Sequence, residues 1–334
     1  AYAGSGDTGE QQPFATSLQL LESVRPQGEE DPDWLYQMGY DLYYLRREGE
    51  AIPYFSRAME LLPRGGEEEA FRDDCQEFLE RCEKAASRQG SAFTATVLLG
   101  APQWDWARLA ADLRAEWGIR AGLEQAMPQN SLLFDWEGMM AVVSLLPAAA
   151  PRQEVQRAAL ANYLWPQAMQ AAGGHKAQLL VAVMGQSTSP VEEGMLCTKI
   201  LAAACLQKGA LGVLLGGNLF SPSAYYQAAR AMKEGDLPVM DWIYFGLYPS
   251  AGGISAYTRG MEAFGKREIE VLAAPAPPAD VRDFLYDMAY YVLSQDAVLR
   301  DGETIGYSER QKLPITLSQG AAMEGITVKI AYPE

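Results

Sequence analysis

Apolar residues recur at helical spacing through the first quarter of the chain. Trp34, Leu35, Met38, Leu42 and Leu45 stand three or four residues apart behind Asp31-Pro32, a capping aspartate followed by a first-turn proline. The pattern predicts a helix there, a turn over Arg46 to Gly49, and a second helix carrying Ala51, Ile52, Phe55, Ala58, Met59 and Leu62 up to Pro63. Gly39 and Ala51 are small where two such helices must cross closely, and Phe55 fills the wedge between them. A third helix, from about Gly66 to Arg88, sets Phe71, Cys75, Phe78, Leu79 and Cys82 on one face. Residues 1–30 are rich in Gly, Ser, Gln and Glu, and only Leu18, Leu20, Leu21 and Val24 suit a short helix.

The period changes after a linker at Arg88-Gln89-Gly90-Ser91. Phe93 to Leu99 reads as a strand, Trp104 to Trp117 as an amphipathic helix and Leu132 to Trp136 as a second strand, with Glu137-Gly138 turning into Met139 to Leu146. Val155 to Ala172 reads as helix and Leu179 to Met184 as a buried strand. This βαββαβ order is that of a ferredoxin-like unit. A helix over Val191 to Gln207 leads into a comparable series. It comprises a strand at Leu211 to Leu215, a helix at Ser221 to Lys233, strands at Val239 to Tyr248, Ile254 to Thr258 and Glu268 to Leu272, a helix at Pro278 to Leu293 and a strand at Ile326 to Ala331. The expected class is α+β: a helical hairpin with a cap helix over 31–88, then a duplicated ferredoxin-like sandwich with halves at 91–185 and 190–334.

Two resemblances follow from particular residues. Leu35, Met38, Gly39, Leu42, Ala51, Phe55, Ala58 and Pro63 fall where a tetratricopeptide repeat places its small and bulky positions. Gly260-Met-Glu-Ala-Phe-Gly265, Glu268-Ile-Glu-Val271, Val281-Arg-Asp-Phe-Leu-Tyr286, Asp301-Gly-Glu-Thr-Ile-Gly306, Lys312-Leu-Pro-Ile-Thr316 and Val328-Lys-Ile-Ala-Tyr-Pro333 resemble the bacterial family called domain of unknown function 4261, over about 260–334. That resemblance implies no assigned activity. By association with families found near toxin and immunity loci, it implies an immunity-like or scaffold role.

Composition narrows the function. Lys plus Arg number 27 against 43 Asp plus Glu, a net charge of −16, which repels phosphate backbones and anionic membranes. The first 90 residues hold 19 acidic and 9 basic groups, the remainder 24 and 18, so charge density shifts where the period does. The apolar stretches fall short of the roughly twenty residues a bilayer span needs. The chain begins at Ala1 without a basic segment leading into an apolar run, and the expected location is the cytoplasm. Cys75, Cys82, Cys197 and Cys205 have helical rather than chelating spacing and read as free thiols. With one histidine, no metal and no cofactor are expected.

Candidate chemistry is sparse. His175, in Gly173-Gly174-His175-Lys176, suits either a general base or a helix cap. Gly216-Gly217-Asn218 between a strand and a helix is either an anion-holding loop or a turn. Glu262, Asp301 and Glu303 are the carboxylates of the most distinctive motifs, and they suit acid–base work or a divalent cation. Asp33, Tyr36, Tyr40, Tyr43 and Tyr44 form a second face on the first helix, the face a tetratricopeptide hairpin offers to a peptide. The expectation is a non-catalytic binding protein with a protein or peptide partner, or self-association, through that face. The alternative is a hydrolase or transferase using the three carboxylates.

Overall fold

The computed structural model describes residues 8–45, 47–63, 68–88, 92–122, 130–185, 189–306 and 311–333. Gln89, Gly90 and Ser91 of the expected linker, Arg46 of the expected turn and Gly66 at the expected start of the third helix lie outside those residues. The chain divides into two compact units, residues 1–92 with 185–189 and residues 93–184 with 190–334.

The smaller unit is helical, with α1 (Thr8–Ser23), α2 (Arg25–Gly28), α3 (Pro32–Tyr44), α4 (Glu48–Leu61) and α5 (Glu69–Arg88). The Asp31 carboxylate accepts the Asp33 N–H at 3.0 Å and so starts α3, while Pro32 needs no donor in that first turn. At the other end of the pair, Arg72 of α5 donates to the Met59 and Leu62 carbonyls and closes the last turn of α4. Leu35, Met38 and Leu42 of α3, Ala51, Phe55 and Ala58 of α4, and Cys75, Phe78 and Cys82 of α5 share one core. Gly39 faces the Phe55 ring so closely that a Cβ there would lie 2.8 Å from it.

The larger unit is α+β. Its first part runs β1 (Phe93–Leu99), α6 (Trp106–Trp117), β2 (Ser131–Trp136), β3 (Met139–Leu146), α7 (Arg152–Ala161), α8 (Ala168–Ala172), β4 (Ala177–Gly185), α9 (Pro190–Cys205), β5 (Ala210–Leu215) and β6 (Asn218–Phe220). It continues with α10 (Pro222–Ala229), α11 (Val239–Trp242), β7 (Tyr244–Ser250), β8 (Gly253–Arg259), β9 (Ile269–Ala274), α12 (Pro278–Ser294), β10 (Thr304–Gly306), β11 (Lys312–Gln319) and β12 (Ile326–Ile330). Two sheets result, ordered β2-β3-β4-β1-β5-β6 and β10-β11-β12-β9-β8-β7.

The strand order departs from the ferredoxin-like expectation. A ferredoxin-like unit sets its third strand beside its first, whereas here β3 lies beside β4 and β1 pairs antiparallel with β4 and β5. The reason is the α9 crossover, which delivers the β5–β6 hairpin to the free edge of β1. Four strands of each sheet follow the same succession, β2-β3-β4-β1 and β10-β11-β12-β9. The remaining two come later in the chain in one sheet (β5, β6) and earlier in the other (β8, β7), and β1 and β4 are antiparallel where β9 and β12 are parallel. A short turn closed by the Gly320 N–H on the Gly325 carbonyl joins β11 to β12, where α7 and α8 join β3 to β4.

The apolar positions of β1 alternate, so Ala95, Val97 and Leu99 join a core with α6, α9, α12 and the second sheet, while Leu98 faces α7 and α8. The middle of α9 is buried on most sides, with Leu196, Cys197, Ile200, Leu201 and Ala204 in the core, Thr198 accepting from Tyr225 and Trp242, and Lys199 half-buried. No described helix is long and apolar enough to cross a membrane. Two expected elements are corrected. The helix over Val155 to Ala172 breaks at Asn162, whose Oδ1 takes the Leu164 and Trp165 N–H groups ahead of Pro166. The strand over Val239 to Tyr248 begins as a helical turn after Pro238, closed by the Ile243 N–H on the Val239 carbonyl, before β7 starts at Tyr244.

Candidate functional site

The carboxylates singled out in the sequence do not converge. Glu262 is exposed on a 3-10 turn between β8 and β9. Gly260 opens that turn at φ +127°, where a Cβ would meet the Trp242 carbonyl at 2.5 Å. Asp301 accepts the Leu317 N–H at 2.6 Å, and Glu303 pairs with Arg300 at 3.4 Å, so both hold the turn before β10. Three strands separate β10 from β8, roughly 19 Å at the usual strand spacing. Among the described residues no group of three or more His, Cys, Asp or Glu side chains is placed to hold a metal.

His175 is buried between α8 and β4, with Nδ1 2.9 Å from the Ala172 carbonyl and Nε2 3.3 Å from the Ala150 carbonyl. Both nitrogens are turned to backbone, which makes the ring a tether for the end of α8. Gly216 and Gly217, at φ +56° and +75°, form the two-residue turn of the β5–β6 hairpin. Because β6 intervenes before α10, the glycines do not sit at a helix start, and α10 is capped instead by Ser221 accepting the Ala224 N–H. Asn218 alone of that trio reaches a cavity.

The tyrosine face of α3 is covered from within its own unit. Tyr36 donates to Asp74 of α5 and meets Phe71 and Phe78 edge-on, and Tyr40 and Tyr43 also pack on Phe78. Phe14 of α1 stacks on Tyr44 with ring centroids 4.9 Å apart. Asp33 stays exposed beside the Asp31 cap. This face is therefore packed by α1 and α5, with Tyr36, Tyr40 and Tyr44 left half-buried.

The cavity that Asn218 reaches, about 250 Å3, lies in the larger unit between β6 and β7, each an edge strand of its sheet. The segment joining α7 to α8 closes it. Asn162 donates to the Leu219 carbonyl of β6, and the Tyr163 hydroxyl donates to the Phe245 carbonyl of β7 at 3.0 Å. Across from them, Arg259 of β8 is the register partner of Tyr244 and lies 4.8 Å from its ring centroid. Arg259 Nε and Nη2 both donate to Asn218 Oδ1, at 3.1 and 2.6 Å. Asn218 is 3% exposed, and its Nδ2 has no hydrogen-bond partner among the described residues. Asp241 of α11 also lines the cavity at 1% exposure, with Oδ2 equally unpartnered.

Burial without a counter-charge pushes the Asp241 carboxyl well above the usual carboxylate range, which favours its neutral form. Burial likewise pushes the Tyr244 hydroxyl up to about 12, next to the Tyr257 and Tyr163 rings. The arrangement presents a guanidinium, an amide N–H and a buried carboxyl on an otherwise mainly apolar wall. The first two are donors. Arg259, Asp241, Tyr163 and Tyr244 went unnoticed in the sequence. The one signal available was an aspartate inside the apolar run Val239-Met-Asp-Trp-Ile243.

Fold and site together define an α+β protein with a donor-lined cavity between two sheet edges. A family model described as Domain of unknown function (DUF4261) matches residues 257–331. No curated protein and no solved structure matches the chain. The matched segment starts beside Arg259 and contains Glu270, a wholly buried carboxylate. Its oxygens accept the Ala321, Ala322 and Met323 N–H groups and the Thr327 hydroxyl, and Lys329 lies 2.7 Å away. Burial pushes this carboxyl up, but the Lys329 ammonium and the backbone donors outweigh it and hold it at about 2.

Proposed function

We propose that this protein works by binding rather than turnover, and that the binding site is the cavity between β6 and β7. The observation that carries the reading is the donor set itself. Arg259 and the Asn218 amide hold and orient an acceptor, and neither is a nucleophile or a base. The hydrolase or transferase alternative rests on Glu262, Asp301 and Glu303, two of which are spent on a turn. The close approach of Gly39 to Phe55 supports reading α3 and α4 as a tetratricopeptide-like hairpin with α5 as its cap. With its tyrosine face packed, that hairpin serves as a scaffold, and contact with a protein partner falls to surfaces other than the tyrosines. A bacterial setting and an immunity-like role remain part of this reading through the family resemblance alone, with the cytoplasm its default location.

The test is incubation with a small-molecule extract, followed by chemical identification of what the protein retains. The reading expects compounds held unchanged by the wild type and released by Arg259→Gln. Time-dependent conversion of any compound, abolished by Glu262→Gln, Asp301→Asn or Glu303→Gln, would overturn it.

A further inference from the structure

We propose that the cavity takes a small carboxylic acid with an apolar body, its carboxylate held by Arg259, Asn218 and Asp241 and its body against Leu219, Phe220 and Ile243. This rests on the binding reading above and names the class of ligand. The first argument is the balance of donors and acceptors. A carboxylate accepts and never donates. The Arg259 guanidinium and the unpartnered Asn218 Nδ2 both border the cavity as donors, and beside them lies the unpartnered Asp241 Oδ2, on a carboxyl whose burial favours its neutral form. A buried polar atom left unpartnered is costly, and here two such atoms, on different elements, border one cavity. A single acceptor head could relieve both.

The second argument is charge. Arg259 makes no ion pair among the described residues, and its held contacts are the neutral Asn218 carbonyl and the Tyr244 ring. An Arg fork matches a planar carboxylate in shape. One cation balances a monoanion. A phosphate dianion would leave a surplus negative charge beside Asp241, in a chain that already carries −16. The third argument is size and lining. The remaining wall is mainly apolar side chain, and about 250 Å3 suits a compact body rather than a nucleotide.

The experiment is calorimetric titration of the full chain with hexanoate and phenylacetate, set beside hexanamide and phenylacetamide. At least one acid is expected to bind about tenfold or more tightly than its amide, and Arg259→Gln is expected to remove that preference. Ala228→Phe, which fills the cavity from α10, is expected to abolish binding while leaving Arg259 in place. Melting curves of both variants without ligand establish that they are folded. If the amides bind as well as the acids and Ala228→Phe blocks both, the acid class is wrong and the cavity stands as a binding site. If no acid binds at millimolar concentration, the proposal is overturned, while retention of other compounds from the extract still decides the binding reading separately.

Discussion

At Glu270 a charge is buried and yet stabilising, because five groups converge on two oxygens. Its carboxyl titrates at about 2 in the folded protein against an ordinary 4.5, so the folded state binds the proton more weakly than the unfolded chain. The resulting stability is fully present above about pH 5 and fades as pH falls toward 2. Replacing Glu270 by Gln keeps the volume but leaves Lys329 without its counter-charge and turns an amide N–H toward backbone donors. The cost should be roughly 3 kcal/mol at neutral pH. Urea midpoints measured from pH 3 to pH 7 check this: the wild type should lose stability on acidification more steeply than Glu270→Gln. Parallel curves would show that the carboxylate contributes no pH-dependent stability.

Among the elements, the close crossing of α3 and α4 depends on one missing side chain. Gly39→Ala would push a methyl group into the Phe55 ring, which is fully buried. The substitution should cost about 1–3 kcal/mol as overpacking. Gly39→Ala with Phe55→Leu should recover part of it, as read by thermal melts followed through helical circular dichroism. This crossing was legible in the sequence because Gly39 and Phe55 belong to a local helical pattern. The strands β1, β3 and β4 were legible for a similar reason, since burial on alternate positions writes itself into the chain. The site was not. Asn218, Asp241 and Arg259 belong to three elements whose meeting depends on how two sheet edges approach, and spacing along a chain does not encode that. The order of β3 and β4 was hidden too, because it is decided by α9 and β5 further along.

At the scale of the molecule, the apolar cores respect the division into units. The helical core draws its buried residues from Leu18 to Cys82, and both cores of the larger unit draw theirs from Phe93 onward. A chain comprising residues 91–334 should therefore melt in one cooperative transition, with near-ultraviolet circular dichroism showing ordered tryptophans. Loss of cooperativity on removing the first 90 residues would show that the larger unit depends on the helices.

The parallel pairing of β12 with β9 has a consequence for how the protein is made. β12 is the last strand of its sheet to leave the ribosome, yet it lies inside the sheet, between β9 and β11. Until Ile326 to Ile330 emerges, the nascent chain holds β9 with one edge unpaired, and such edges template aggregation. Translation that stalls before β12 emerges would leave β9 with an open edge and the second sheet incomplete.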